Sequence, residues 1–147
     1  LTTLGRMDSK RFFPVIEAQM KSKDWYMRNA GLIALQSASR DNAVKWSMKL
    51  ATDPALVVRT QAVRNLVRLN AHEAEGLLWR EIFDKRNFNG RESLWVRAHM
   101  AEALARFTGP GRAKMFERLL REEDDRLHKW AVMGLEATTG FKMTTKS

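Results

Sequence analysis

A pattern that recurs along the chain constrains its fold more than any other feature. The segment Asp53–Leu69 carries Arg59, Ala62 and Leu66, the second and third lying three and seven residues after the first. The same spacing joins three further sets: Arg28, Gly31 and Leu35; Arg97, Met100 and Leu104; and His128, Ala131 and Leu135. The four sets begin 31, 38 and 31 residues apart. Since residues at these spacings share one face of a helix, the chain is predicted to contain four copies of a helical unit.

Apolar periodicity and turn residues predict eight helices and no convincing strand. The predicted helices span about 12–20, 25–37, 43–51, 54–69, 72–83, 94–107, 112–121 and, from Asp124 or Asp125, to about 138. They pair into four hairpins over about 12–38, 41–69, 72–107 and 110–138. We therefore expect a single repeat domain over 12–139, an N-terminal extension over 1–11 and a polar tail over 140–147 that frays.

Polar residues mark the predicted helix ends. Asp53 is expected to be the N-cap of a helix that has Pro54 in its first position. Asp41 or Asn42 is expected to cap the preceding helix, and Asn70 is expected to end the helix after Asp53. The polar stretch 84–93 contains Asn89-Gly90, which predicts a turn, and it accounts for the longer central interval.

Over residues 10–139 the chain resembles the HEAT-like repeats, especially the short bacterial form named after phycobilisome lyases. Asp53 and Arg59 match the family's Asp and Arg in spacing, and Val58-Arg59 and Val96-Arg97 match its Val-Arg pair. Pro14, in FFPVIEAQM and in the first turn of the predicted first helix, lies where the family often has proline. The resemblance implies an all-α fold: a right-handed superhelical α-solenoid of four helical hairpins whose second helices line a concave side.

The resemblance also implies a ladder of Asp–Arg pairs between repeats. It assigns Asp53, Arg28, Arg59 and Arg97 to structural contacts, with Asp53 accepting from Arg28 or Arg59. Arg91 stands where the third repeat should have Asp, and His128 stands where the fourth should have Arg. We therefore expect the ladder to be incomplete in the third and fourth repeats.

The second helices and the polar stretch contain the candidate partner-binding residues. Arginine binds carboxylate or phosphate through two parallel hydrogen bonds, and tryptophan anchors peptides or stacks on bases. Packing is the more common role for tryptophan, and we expect it for Trp25, Trp46, Trp79 and Trp95. The candidates are Arg64, Arg68, His99, Arg106, Lys129 and Trp130 on second helices, and Arg86, Phe88 and Arg91 in the polar stretch.

Composition limits the function classes. The net charge of +9 is uneven, with +7 in residues 1–70 and +2 in residues 71–147, and there is no cysteine. No run is apolar enough for a membrane span, and the three histidines show no metal-ligand spacing. We therefore expect no cofactor, no metal and no enzymatic activity, a DNA-glycosylase-like HEAT protein being the main enzymatic alternative.

The cytoplasm is favoured over the periplasm. Because the chain begins with Leu1, we expect a fragment, a processed chain or a trimmed one.

These features favour a scaffold that binds a protein or peptide partner through the concave face of a HEAT-repeat α-solenoid. The alternative is a nucleic-acid-binding module that uses the same basic groove. A binding surface of either kind would contain exposed arginines on the second helices. The pattern of charges does not distinguish the two.

Overall fold

The computed structural model describes the backbone of residues 2–142 and the side chains of residues 11–142. Within this part the chain forms eight α-helices, four short 3₁₀ segments and one two-stranded ribbon, so the all-α prediction is confirmed. Expectations for residue 1 and for residues 143–147 lie outside the described residues. Contacts group the helices into two compact units, and the division between them in the chain lies between Leu69 and Asn70. The single repeat domain expected from the sequence stays a prediction.

The first unit contains two helical hairpins. In this unit α2 packs against α1 and α4, and α4 packs against α3, so the second helices of the two hairpins are neighbours. A 3₁₀ turn, Leu35–Ser37, extends α2. The helices are α1 (Thr2–Met20), α2 (Trp25–Ala34), α3 (Arg40–Leu50) and α4 (Leu56–Arg68).

The first helix begins ten residues earlier than predicted. Residues 2–11, expected to be an extension, belong to α1, and Pro14 lies inside the helix and not in its first turn. A weak apolar pattern is poor evidence against a helix, because helix propensities of most residues differ by less than about 1 kcal/mol. Pro14 removes one backbone hydrogen bond from α1, and neighbouring bonds maintain the helix on both sides.

The predicted cap of α3 was wrong. The Ser39 hydroxyl, which precedes Asp41 and Asn42, accepts from the N–H of Asn42 at 3.3 Å. Serine caps a helix as well as Asp or Asn does, so these three candidates within four residues could not be ranked from the sequence.

The start of α4 also differs from the prediction. The helix begins at Leu56, with Ala55 in the capping position, and Pro54 precedes it. The carboxylate of Asp53 accepts from the N–H of Ala55 at 2.8 Å, so it caps the turn before the helix. The predicted end of α4 is confirmed, because Asn70 adopts a left-handed conformation with φ of 49°.

The second unit contains two more hairpins and a ribbon. Here α6 packs against α5 and α8, and α7 packs against α8. The elements are α5 (Glu75–Glu81), β1 (Phe88–Asn89), β2 (Glu92–Ser93), α6 (Val96–Phe107), α7 (Ala113–Leu120) and α8 (His128–Thr139), with 3₁₀ turns at His72–Ala74, Lys85–Asn87 and Asp125–Leu127.

The ribbon was not predicted as strands. Asn89 pairs with Glu92 in antiparallel register, and the turn between them has Gly90 at φ of 64°. A two-residue turn with a positive φ at its first position suits the twist of a hairpin, which explains the glycine. The turn predicted at Asn89-Gly90 is confirmed, whereas strands of two residues are too short to show alternation.

The repeated positions form the core of both units. Each position that aligns with Ala62 or with Leu66 is buried in all four copies. Glycine allows close approach of helices within two hairpins: a Cβ on Gly31 would lie 2.5 Å from Cγ of Met20, and a Cβ on Gly134 would overlap the ring of Phe116. The hydrophobic periodicity in the sequence therefore reports the helix faces that pack together.

Candidate functional site

The exposed faces of α6 and α8 form the candidate binding surface in the second unit, called the α6/α8 surface here. On α6 the exposed or half-buried positions recur at helical spacing from Trp95, and on α8 they surround Trp130. The two helices pack together, so these positions share one surface. Its residues are Trp95, His99, Glu102, Arg106, Lys129, Trp130 and Met133.

Arg106 joins the two halves of this surface. Its guanidinium lies 5.6 Å from the ring centre of Trp130, and the ammonium of Lys129 lies 4.6 Å from the same ring. Glu102, one turn before Arg106, accepts from Arg106 at 3.1–3.2 Å. The cation–π contacts and the carboxylate hold Arg106 in one place while N–H groups remain for a partner.

Two large apolar side chains are exposed on the same surface. Trp95 is 46% exposed and Met133 is 41% exposed, so both present apolar area to solvent. Trp95 was expected to pack, as was Trp25, and both expectations were wrong, since Trp25 is 49% exposed. The expected packing of Trp46 and Trp79 is confirmed, because both are buried. Methionine adapts its shape to a partner, and Trp and Arg are the residues most enriched at the energetic centres of interfaces.

The structure brings four candidates together and separates the others from them. His99, Arg106, Lys129 and Trp130 all belong to the α6/α8 surface. Of the polar-stretch candidates, Phe88 contacts Arg97, on the buried face of α6. Arg64 and Arg68 belong to α4, in the first unit, where both are exposed and one turn apart.

Two of the three polar-stretch candidates have structural contacts. Arg86 pairs with Asp84 at 3.1 Å and with Glu81 at 3.3 Å, and the N–H of Arg86 lowers the pKa of Asp84. The ring of Phe88 lies 4.2 Å from the guanidinium of Arg97. Arg91 alone of the three is exposed without such a contact in the described structure, at the wall of a cavity of about 680 Å³.

Arg97 is the centre of a polar network beneath this cavity. It is fully buried, and it donates to the carbonyl of Ile82 at 2.6 Å and to both carboxylate oxygens of Glu122 at 2.7 Å. Glu122, which follows α7, is therefore the carboxylate partner of Arg97. Arg97 also donates to the hydroxyl of Ser93, which fixes the ribbon to α6.

Asp124 extends the network to the start of α8. Its carboxylate accepts from the Ser93 hydroxyl at 2.6 Å and from the guanidinium of Arg126 at 2.8 and 2.9 Å. Hydrogen bonding from Arg126, aided by Ser93, lowers the pKa of Asp124 from 3.8 to about 2. Asp124, Arg126, Arg97 and Glu122 therefore hold the ribbon and the turn after α7 in place.

The first unit contains an equivalent pair. Arg28 donates to Asp53 through two bonds of 2.7 and 2.9 Å, and these bonds raise the pKa of Arg28. Arg59 donates to the carbonyl of Asp53 at 2.8 Å and to that of Pro54 at 3.0 Å. Of the two partners that the resemblance offered for the Asp53 carboxylate, Arg28 is the one in bidentate contact.

Arg28, Arg59, Arg97 and His128 begin the four repeated sets, and three of them share the same kind of bond to a backbone carbonyl. Arg28, Arg59 and His128 each bond the backbone carbonyl six residues earlier, at 3.0, 2.8 and 2.6 Å. His128 thus replaces arginine in contact as well as in position. This regularity indicates that these three residues hold the chain that enters α2, α4 and α8, which is a structural role.

The sequence analysis missed Met133 and Glu102 on the surface and Glu122 in the network. The spacing of Trp95, His99, Glu102 and Arg106 along one helix face could have identified the α6 half of the surface. Glu122 lies 25 residues after Arg97, the same separation as between Arg28 and Asp53, and that repeat of 25 was available in the sequence.

Within the described residues, no group of His, Cys, Asp and Glu side chains could hold a metal ion. In the same part of the chain no helix has the length and hydropathy to cross a membrane. Comparisons with models of protein families, with curated proteins and with solved structures find no match for this chain.

Proposed function

We propose that this chain is a non-enzymatic binding module built of HEAT-like helical repeats, and that it engages a protein or peptide partner. Two observations support the repeat assignment. Second helices of consecutive hairpins pack together within each unit, as α2 with α4 and α6 with α8. The ion pairs Arg28–Asp53 and Arg97–Glu122 join equivalent positions of those hairpins.

The main support for a binding function is the contact of Arg106 with Trp130. It places a cation and an aromatic ring from two helices at one point, and Trp95 at the start of α6 and Met133 on α8 are also exposed. Interface energy concentrates in such Trp and Arg clusters surrounded by apolar area. The partner segment that fits is one with apolar side chains next to a carboxylate, since Arg106 binds that group well.

Quantitative affinity capture from a lysate of the source organism tests the proposal. We compare the wild-type chain with Arg106→Glu and Trp130→Ala, and with Lys114→Glu as a charge-reversal control on α7, where Lys114 is exposed. A partner should be captured by wild type and by Lys114→Glu, and should be depleted by both surface variants. Identical sets of captured proteins from all four chains would contradict the proposal.

Nucleic acid is the second candidate, and the charge of the first unit favours it. Residues 1–69 carry a net charge of +7, and Arg64 and Arg68 are both exposed on α4. Binding to phosphates releases counterions, so affinity for single-stranded or duplex DNA should fall at least tenfold between about 50 and about 200 mM salt. Absence of binding at the lower salt concentration would eliminate this candidate.

A further inference from the structure

A cavity of about 400 Å³ lies in the first unit, where the end of α4 meets the start of α3. Two arginines line it, and no carboxylate of the described residues does. We propose that this cavity binds the phosphate group of a small phosphomonoester. The residues of its wall are Leu35, Gln36, Ala38, Arg40, Ala43, Arg68 and Leu69.

The two arginines reach the cavity from different helices. Arg40 is the first residue of α3, and its guanidinium donates to the carbonyl of Leu69 at 3.2 Å, which fixes it beside the end of α4. Arg68, next to Leu69, is exposed and has no hydrogen bond or ion pair within the described structure. Its planar guanidinium can therefore offer two parallel N–H groups to a phosphate, a geometry that lysine does not provide.

The surrounding charges favour a dianion. The first unit has a net charge of +7. The nearest carboxylate in sequence, Asp41, is exposed and outside the wall of the cavity. A phosphomonoester carries up to two negative charges near neutral pH, so it gains more from this environment than a single carboxylate does.

The size and the apolar part of the wall indicate a small ligand. The volume lies in the range of about 300–1,000 Å³ that is common for small-molecule sites. Leu35, Ala38 and Leu69 provide apolar contact for a short organic group attached to the phosphate. This site is independent of the α6/α8 surface, and loss of partner binding there leaves the present proposal intact.

Titration of the full chain with phosphoserine, monitored by NMR of the backbone amides, tests the site. Serine and inorganic phosphate are the two comparison ligands. Amide shifts should concentrate in residues 36–43 and 68–69, with serine causing none and inorganic phosphate binding more weakly than phosphoserine. Arg68→Gln should weaken phosphoserine binding about tenfold or more, and Arg68→Lys should restore only part of it.

Arg64→Gln is the matched control, because Arg64 is exposed one turn from Arg68 but does not line the cavity. It should change the affinity by less than about twofold. If Arg64→Gln and Arg68→Gln weaken phosphoserine binding equally, the small-ligand proposal is overturned in favour of an extended nucleic-acid surface. The same holds if a single-stranded oligonucleotide binds more tightly than phosphoserine and its binding depends on both arginines. Absence of localised shifts, or equal affinity for phosphoserine and inorganic phosphate, would also overturn the proposal.

Discussion

Arg97 and Glu122 form a bidentate ion pair with two hydrogen bonds of 2.7 Å, and they lie 25 residues apart in the chain. Arg28 and Asp53 form the equivalent pair in the first unit, with the same separation. In both pairs the arginine belongs to the second helix of one hairpin, and the carboxylate precedes the second helix of the next. Each pair therefore fixes two consecutive hairpins of its unit to each other.

Glu122→Ala should lower the free energy of unfolding by about 3–5 kcal/mol, because it leaves the fully buried guanidinium of Arg97 without its carboxylate. Urea denaturation measures this loss. Glu123→Ala is the matched control, since Glu123 is exposed beside it, and it should change stability by about 0.5 kcal/mol or less. Similar losses in the two variants would show that the pair contributes nothing specific.

Arg28 and Asp53 should be strongly coupled in a double-mutant cycle. Their contact should give an interaction energy of about 1–3 kcal/mol. The interaction energy between Arg59 and Asp53 should be smaller, because Arg59 donates to the backbone carbonyl of Asp53, which remains after Asp53→Ala. Asp53→Ala also removes the cap on Ala55, so it should destabilise more than Asp41→Ala. Denaturation at moderate salt measures the cycle, and additive losses of Arg28→Ala and Asp53→Ala would contradict it.

The sequence predicted the helices and their buried faces well, because both follow from apolar periodicity. Leu35 and Leu66, for example, occupy equivalent buried positions. Helix starts were predicted less well, as at α3, where Ser39 and not Asp41 or Asn42 provides the cap. Adjacent residues of similar capping strength differ in energy by too little for the sequence to rank them.

The candidate site was predictable only in part, because exposure depends on tertiary packing. Trp130 was identified correctly as a surface candidate, but Trp95 was expected to pack and Phe88 was expected to be available. Helical spacing places a residue on a face of its own helix. A neighbouring segment can cover that face, as Phe88 covers Arg97. Such coverage depends on contacts between residues that are distant in the sequence.

Gly134→Ala should destabilise the chain by about 1–3 kcal/mol, because its Cβ would overlap the ring of the buried Phe116. Gly76→Ala is the matched control in another helix, where the nearest atom to the added Cβ is the mobile end of Arg80 at 3.8 Å. It should be neutral or stabilise by up to about 1 kcal/mol through helix propensity. Thermal and urea denaturation compare the two, and stabilisation by Gly134→Ala would show that the helices separate at little cost.

Asp124 should contribute stability that depends on pH in the acidic range. Its pKa is lowered from 3.8 to about 2 in the folded chain, chiefly by the hydrogen bond from Arg126. The unfolded chain therefore binds this proton more tightly than the folded chain does. The contribution is fully present above the unfolded pKa, and it is lost as the pH falls towards 2.

Asp124→Asn isolates this contribution from that of the other carboxylates. The variant should be less stable than wild type at neutral pH, and the difference in unfolding free energy should shrink between about pH 4 and about pH 2. Asp125→Asn is the control, since Asp125 is exposed and should show no such convergence. Urea denaturation at several pH values gives the two difference curves. A difference for Asp124→Asn that stays constant down to pH 2 would mean that the carboxylate gains nothing from Arg126 and Ser93.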